Sequence, residues 1–344
     1  MGFFCIDKPS GPTSHDMVYK VRRAVGRGVK VGHAGTLDPF AGGVLVVSVG
    51  GACRLVEFVM GRPKRYQALV RLGAVSDTDD RTGRIEVARA TPWRGRLARG
   101  DGPLDTSCPA AGGEGEMSAE RGNQTPAVRP PSLEDVRRAV AGFVGNIQQV
   151  PPRHSAVFIA GRRAYDIARG GGEVNLAPRT VHIERLEVLA YDWPDVRLDV
   201  WCGRGTYIRS LARDLGDALG VGGYCQELTR SAVGEFTLAS SVDIANLDPQ
   251  RDLIDARTAV AHLPAVTLTS DDLPHLMLGR RLTMTACQWS EHASPPPPAD
   301  SLTAPRDDIV ILSPKGQVLA LGYLATDGRV QPTKVIVNVR TWSE

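Results

Sequence analysis

Residues Gly32-His33-Ala34-Gly35-Thr36-Leu37-Asp38-Pro39 set a single carboxylate on a glycine-rich loop, with no second acid and no metal-ligand set beside it. Pro39 disfavours a helical conformation at the residue before it, so Asp38 is expected in turn or extended geometry with its carboxylate presented outward. A lone carboxylate suits nucleophilic work, whereas hydrolysis by paired carboxylates needs a second acid. Asp before Pro is also ordinary turn punctuation, so the octapeptide by itself decides nothing. Other familiar chemistries are missing from the chain. There is no Walker loop, no G-x-S-x-G elbow, no dinucleotide fingerprint and no H-E-x-x-H. The histidines His15, His33, His154, His182, His262, His275 and His292 are scattered, and none pairs with a second ligand at metal spacing. Cys5, Cys53, Cys108, Cys202, Cys225 and Cys287 lie far apart without a C-x-x-C pair, which argues against a zinc site and against a disulfide framework. What remains is the lone Asp38, the tyrosines Tyr66 and Tyr207, and arginines near them.

The elements that must position these residues are legible in outline. At 344 residues, with 42% hydrophobic and 23% charged residues, the chain can bury a full core and is expected to form two domains. No apolar run approaches the roughly 20 residues that a bilayer requires. The N-terminus shows no basic stretch followed by an apolar one, so a cytoplasmic protein is expected. Net charge is only +3, yet residues 1–75 hold eleven Lys and Arg against four acids, so this region carries +7 and the remainder −4. A basic region around a lone acid suits a polyanion such as nucleic acid, and a solvated basic face is the alternative.

Thr13 and Ser14 offer N-caps to a helix in which Asp16 lies in the first turn, Val18, Val21 and Val25 form the apolar stripe and Gly26 ends the segment. Gly43 to Val49 reads as a buried strand, Ala52 to Met60 as a second helix, and Lys64 to Leu72 as a strand with Tyr66 near its start. Asp77-Thr78-Asp79-Asp80 reads as a turn that lacks the downstream Gly and Glu spacing of a calcium loop. Residues 91–131 contain seven glycines and six prolines, and a mobile insertion is expected there. Ser132 caps a helix bearing Leu133, Val136, Val140 and Phe143. Val181 to Leu189 and Arg197 to Cys202 alternate as strands, and Leu211, Leu215 and Leu219 mark a helix after Gly203. A second break at Ser294 to Pro298 interrupts a small β-rich C-terminal part with strands at Ile309 to Leu312 and Val335 to Val339.

Four segments in order carry a family likeness: Asp7-Lys8-Pro9-Ser10-Gly11-Pro12-Thr13-Ser14, then Lys30 to Pro39, then Lys64-Arg65-Tyr66, then Gly205-Thr206-Tyr207-Ile208-Arg209. Together they resemble the TruB-type tRNA pseudouridine synthases, over residues 2 to about 240 apart from the insertion. The resemblance implies a mixed-sheet α/β fold, with a catalytic domain at 1–260 and a PUA-like RNA-binding barrel at 261–344. It implies isomerisation of the uridine at position 55 in the tRNA T loop, without metal or organic cofactor. tRNA is the expected partner, with no obligatory protein partner, and the chain is expected to act as a monomer.

On this resemblance Asp38 is the nucleophile, attacking the ribose C1′ or C6 of the base, and Arg209 orients it and keeps it charged. Tyr66 lies against the flipped base and helps remove the C5 proton. Tyr207 packs nearby, Leu228 contacts uracil, and His33 enters the T loop where the uridine departs. Extruding a base costs its stacking, which aromatic rings restore. Lys20, Arg22, Arg23, Lys64 and Arg65 are expected phosphate contacts. The alternatives are a noncatalytic RNA-binding or tRNA-folding protein using the same surface, a related synthase subunit of a guide-RNA particle, whose partners nothing in the sequence signals, and action on a different uridine or another RNA on the same fold.

Overall fold

The computed structural model describes residues 1–88, 129–155, 158–159, 162–163, 176–285, 288–289 and 309–337. The Gly/Pro-rich insertion lies outside these residues except for 129–131, as does the break at Ser294 to Pro298. No described helix is long and apolar enough to cross a membrane. The chain forms two compact units, Met1–Arg62 with Ala232–Glu344, and Pro63–Ser231. This spatial division differs from the boundary near residue 260 expected from sequence order.

In the first unit, strand β1 (Gly2–Lys8) is central. It pairs antiparallel with β3 (Gly42–Val49), Phe3 opposite Ser48 and Lys8 opposite Gly43. It also pairs parallel with the short β14 (Val242–Asp243) and antiparallel with β15 (Ile254–Asp255). Strand β2 (Val31–His33) adds to β3, with His33 opposite Val47. Helix α1 (Ser14–Val25) begins at Thr13, whose hydroxyl accepts from the Asp16 amide at 3.1 Å while the Asp16 carboxylate accepts from the Thr13 amide at 2.8 Å. This reciprocal capping box explains the helix start. Met17, Val18 and Val21 are buried on its inner face.

The helix expected over Ala52 to Met60 is in fact two pieces, a 3₁₀ turn at Gly50–Arg54 and α2 at Val56–Gly61. Leu55 between them has φ −99° and ψ 1°, and its amide bonds back to the Ala52 carbonyl at 2.9 Å. Chain crowding accounts for glycine nearby: a Cβ at Gly51 would collide with the carbonyl oxygen of Ile336.

The C-terminal strands β16 (Ala265–Thr267), β17 (Ile309–Leu312), β18 (Val318–Leu324) and β19 (Val330–Val335) form a sheet in that order, the first pair parallel and the others antiparallel. One hydrophobic cluster joins Phe3, Cys5, Val44 and Val46 of the N-terminal strands to Val310, Leu312, Val318, Leu321 and Ile336. The residues expected to form a separate C-terminal module therefore share a core with the first strand of the chain.

The second unit holds strands in the order β12 (Gly223–Val233), β4 (Lys64–Leu72), β11 (Asp195–Cys202), β10 (Arg179–Asp192), β7 (Gly145–Gln149). β4 and β11 run antiparallel, with Tyr66 opposite Val200. The hairpin of β5 (Ala74–Ser76) and β6 (Ile85–Val87) brackets the loop that carries Asp77 to Asp80. A further pair, β8 (Phe158–Ile159) and β9 (Arg162–Arg163), completes the strands among the described residues of this unit. Helix α3 (Leu133–Ala141) is capped by Ser132 through a second capping box with Asp135. Helix α4 (Ile208–Ala218) follows the Gly203 to Tyr207 segment and buries Ile208, Leu211 and Leu215.

Candidate active site

The carboxylate-bearing loop connects β2 to β3, and the side chains of Ser14 and Lys8 bind its backbone groups. Ser14, at the start of α1, donates from its hydroxyl to the Leu37 carbonyl at 3.1 Å and accepts from the Leu37 amide at 2.9 Å. The Ala41 amide closes on the Asp38 carbonyl at 3.1 Å, and the Gly11 amide on the Pro39 carbonyl at 2.7 Å. Lys8, fully buried, points its ammonium at three carbonyls, those of Pro9 and Pro12 at 2.8 Å each and Pro39 at 3.4 Å. A cation that reads as part of the basic surface is thus an internal knot tying the Lys8-Pro9 segment to the Asp38 loop. Burying an ammonium is tolerable only with such partners. Gly35 has φ +110°, a conformation open to glycine and strained for a side chain. Asp38 and His33 are half-buried. Lys20 and Arg23 are exposed on α1, and Arg22 beside them reaches the Val31 carbonyl at 3.4 Å.

In the second unit, Tyr207 is the N-cap residue of α4. Its backbone is gripped by the buried side chain of Gln149, which accepts from the Tyr207 amide at 2.8 Å and donates to its carbonyl at 3.0 Å. The Arg179 guanidinium lies 4.6 Å from the Tyr207 ring centroid, a cation–π contact that holds the ring. Two positions later Arg209 is 4% exposed. It donates to the Thr78 carbonyl at 3.1 Å and the His154 carbonyl at 3.0 Å, and its guanidinium stands 3.4 Å from the Asp80 carboxylate. Asp80 also accepts from the Thr82 amide at 2.8 Å and the Thr78 hydroxyl at 3.0 Å. The turn expected over Asp77 to Asp80 is present, and it also presents a buried carboxylate to Arg209, which residue types and spacing do not announce. The nearest signal is the short, hydroxyl-rich Ser76 to Thr82 segment, which folds its own side chains onto one carboxylate.

Tyr66, on β4, is half-buried, and Leu228, on β12, is 7% exposed. Lys64 and Arg65 differ from simple surface cations. Lys64 is 8% exposed, and burial, reinforced by the neighbouring Arg230, brings its ammonium down to about 8. Arg65 binds Asp199 through two nitrogens at 2.9 and 3.0 Å and lies 5.1 Å from the centroid of Trp201. Alternation along β4 accounts for this, because Arg65 shares a sheet face with its cross-strand neighbour Trp201 while Tyr66 points to the other. The predicted residues therefore divide between the units: His33, Asp38, Lys20, Arg22 and Arg23 in the first, and Lys64, Arg65, Tyr66, Tyr207, Arg209 and Leu228 in the second.

The sequence model described as TruB family pseudouridylate synthase (N terminal domain) matches residues 22–95 and 110–208. A protein named tRNA pseudouridine synthase B from Microcystis aeruginosa is 39% identical over 83% of this chain and 85% of its own. The protein of the same name from Dehalococcoides mccartyi strain CBDB1 is 33% identical over 98% of this chain and 97% of its own. Among solved structures, one of an H/ACA RNP bound to a substrate RNA containing 2′-deoxyuridine superposes with a TM-score of 0.63 at 23% identity, covering 100% of this chain and 87% of that one. A Cbf5-Nop10-Gar1 complex gives a TM-score of 0.62 at 23% identity, with the same coverage. These two likenesses show the fold, which is the mixed α/β arrangement expected from sequence. With relatives at this identity over nearly its whole length, the chain belongs to the TruB family of pseudouridylate synthases.

Proposed function

We propose that the protein isomerises uridine 55 in the T loop of tRNA to pseudouridine, with Asp38 as the nucleophile. The observation that carries this reading is the near full-length match to proteins named tRNA pseudouridine synthase B, whose matched family segments enclose Asp38, Tyr66 and Tyr207. The reaction conserves every atom. The bond between N1 and C1′ breaks, the detached uracil turns while still bound, and a new bond forms between C5 and C1′. The C5 proton then leaves and N1 acquires one. A carboxylate that bonds to the substrate in the first half and departs in the second needs no redox partner.

In this reading a rigid loop aims the Asp38 carboxylate, because three carbonyls of its surroundings are fixed by Lys8 and both backbone groups of Leu37 by Ser14. Arg209 supplies the positive charge that keeps a carboxylate ionised away from water. Tyr66 and Tyr207 give aromatic faces to the extruded base, with Tyr66 placed to assist loss of the C5 proton, and Leu228 adds an apolar wall. His33 fills the gap left in the T loop. Lys20, Arg22 and Arg23 take phosphates, and the C-terminal sheet adds RNA-binding surface.

The test is an unmodified tRNA transcript labelled with tritium at uridine C5, incubated with the purified protein alone. Tritium release at one equivalent per tRNA, mapped to position 55, is the expected result. Absence of release from a well-folded protein, or release from another position, would overturn the reading.

A further inference from the structure

Arg209 and Arg213 stand one turn apart on α4, so their side chains leave the same face of the helix. Opposite them lie consecutive acids of one turn. Arg209 meets Asp80 at 3.4 Å, and Arg213 meets Asp79 at 2.8 Å. Consecutive residues of an extended chain point to opposite sides, yet here both carboxylates address one helix. The backbone explains it: Asp79 has φ +60°, the left-handed conformation, and among the described residues it is the one non-glycine residue with positive φ. Asp and Asn tolerate this region better than other side chains, but it still costs free energy that the surroundings must offset.

The turn is anchored on its other side as well. The Cys225 amide donates to the Asp79 carbonyl at 3.0 Å, and the Arg81 amide donates to the Cys225 carbonyl at 3.1 Å. Gly83 is wedged against the side chains of Ser76, Asp77 and Thr78, where any Cβ would collide. Arg213 continues the brace, donating to the Val150 carbonyl at 2.9 Å, the same oxygen that receives the Ser210 hydroxyl at 2.8 Å. It also binds the neighbouring Asp214 at 2.8 Å.

We propose that Arg213 and Asp79 are a positioning pair for the isomerisation: their ion pair clips the Ser76 to Arg84 turn to α4, and so fixes the Asp80 carboxylate and the Thr78 carbonyl that hold Arg209. Neither residue touches the reacting base in this scheme; both act through Arg209. The inference rests on the function proposed above, specifically on Arg209 serving the reacting carboxylate. Geometry supports it over simple stabilisation, because the two ion pairs share one turn and one helix face, so releasing the outer pair frees the inner one to move. A group misplaced by about 1 Å can cost on the order of a hundredfold in rate, so the hold on Arg209 matters to the carboxylate it serves.

The experiment compares wild type, Arg213→Gln, Asp79→Asn and the double variant under single-turnover conditions with C5-tritiated tRNA, alongside tRNA affinity, melting temperature and amide hydrogen exchange. Asp79→Asn keeps a residue suited to positive φ, so the turn survives without its charge. Arg138→Gln, on an exposed pair with Glu134, is the control. The expected result is a rate constant lowered about tenfold in each single variant with tRNA affinity within about threefold, and a double variant no slower than either single one, as coupled residues behave. Arg213→Lys should restore part of the rate. Amides of residues 76–84 should exchange faster in the variants while the rest of the unit is unchanged. Single variants that melt lower yet turn over at the wild-type rate would overturn the proposal, as would additive losses in the double variant. If wild type itself releases no tritium, the functional reading falls, and the clip is still judged by exchange at residues 76–84.

Discussion

At the scale of the residue, its surroundings decide what a carboxylate's charge can do. Asp38 carries the proposed reaction alone, so Asp38→Asn should abolish tritium release while leaving tRNA affinity within about twofold, since the change removes the nucleophile and keeps the shape of the loop. Release near the wild-type rate in that variant would refute the assignment. Asp214 illustrates the opposite situation. Burial pushes its carboxyl up to about 6, with Arg213 holding it down in part. A folded-state value above the unfolded 3.8 means that the native state binds the proton more tightly, so this residue's contribution to stability falls as pH rises from about 4 to 6 and its penalty is complete above that. Asp214→Asn, which keeps an oxygen facing Arg213, should flatten the slope in denaturation midpoints between pH 4 and 6 and gain on the order of 1 kcal/mol at pH 7.5. A midpoint unchanged at pH 7.5 would argue that the ion pair to Arg213 fully offsets the burial.

Elements place these residues through short, specific devices. Helix α1 begins where it does because Thr13 caps it, and that start leaves Ser14 in position to bind both backbone groups of Leu37. One helix terminus therefore sets the backbone of the residue beside the proposed nucleophile. Ser14→Ala should cost about 1–3 kcal/mol, because a buried amide and carbonyl lose their partner. It should also slow turnover more than it weakens tRNA binding, measured by single-turnover rates against affinity. Equal losses in both would mean that the contact serves folding of the RNA-binding face instead. Element types were largely readable in the sequence: α1, β3, β4, α3 and α4 lie where periodicity and caps put them. Crowding was not readable. The segment from Gly50 to Gly61 carries an apolar pattern that suits one helix, yet the approach of Ile336, some 280 residues later in the chain, goes with a break into two pieces. Alternation along β4 correctly separates Tyr66 from Arg65, but the sequence could not say that Asp199 and Trp201 on another strand would engage that arginine.

On the scale of the whole molecule, chain order is a poor guide to packing. Val310, Leu312, Val318, Leu321 and Ile336 belong to one hydrophobic cluster with Phe3, Cys5, Val44 and Val46. The Arg54 guanidinium also donates to the Val335 carbonyl, and Lys334 pairs with Glu57 at 2.6 Å. Truncation after residue 263 should therefore do more than remove an RNA-binding appendage. Each large side chain uncovered forfeits roughly 1.5–3 kcal/mol of burial, so the shortened chain should lose its cooperative thermal transition or aggregate. A truncated protein that melts at the full-length temperature would show that the C-terminal strands form an independent module.

The sequence by itself determined the class of fold and nominated the residues proposed to carry the chemistry, because a lone carboxylate, aromatic rings and capped amphipathic helices are properties of local residue type and spacing. It also determined that no second acid stands beside Asp38, which points to a nucleophile that remakes a bond. Only the tertiary structure decided what holds those residues in place. Lys8 as an internal knot, Asp80 facing Arg209, Asp79 turned by a positive φ toward Arg213, and Gln149 gripping Tyr207 all join residues distant in the chain or a backbone conformation that composition does not reveal. Such partners are selected by long-range packing, and a buried charge or backbone group takes whichever partner the fold brings within hydrogen-bond reach.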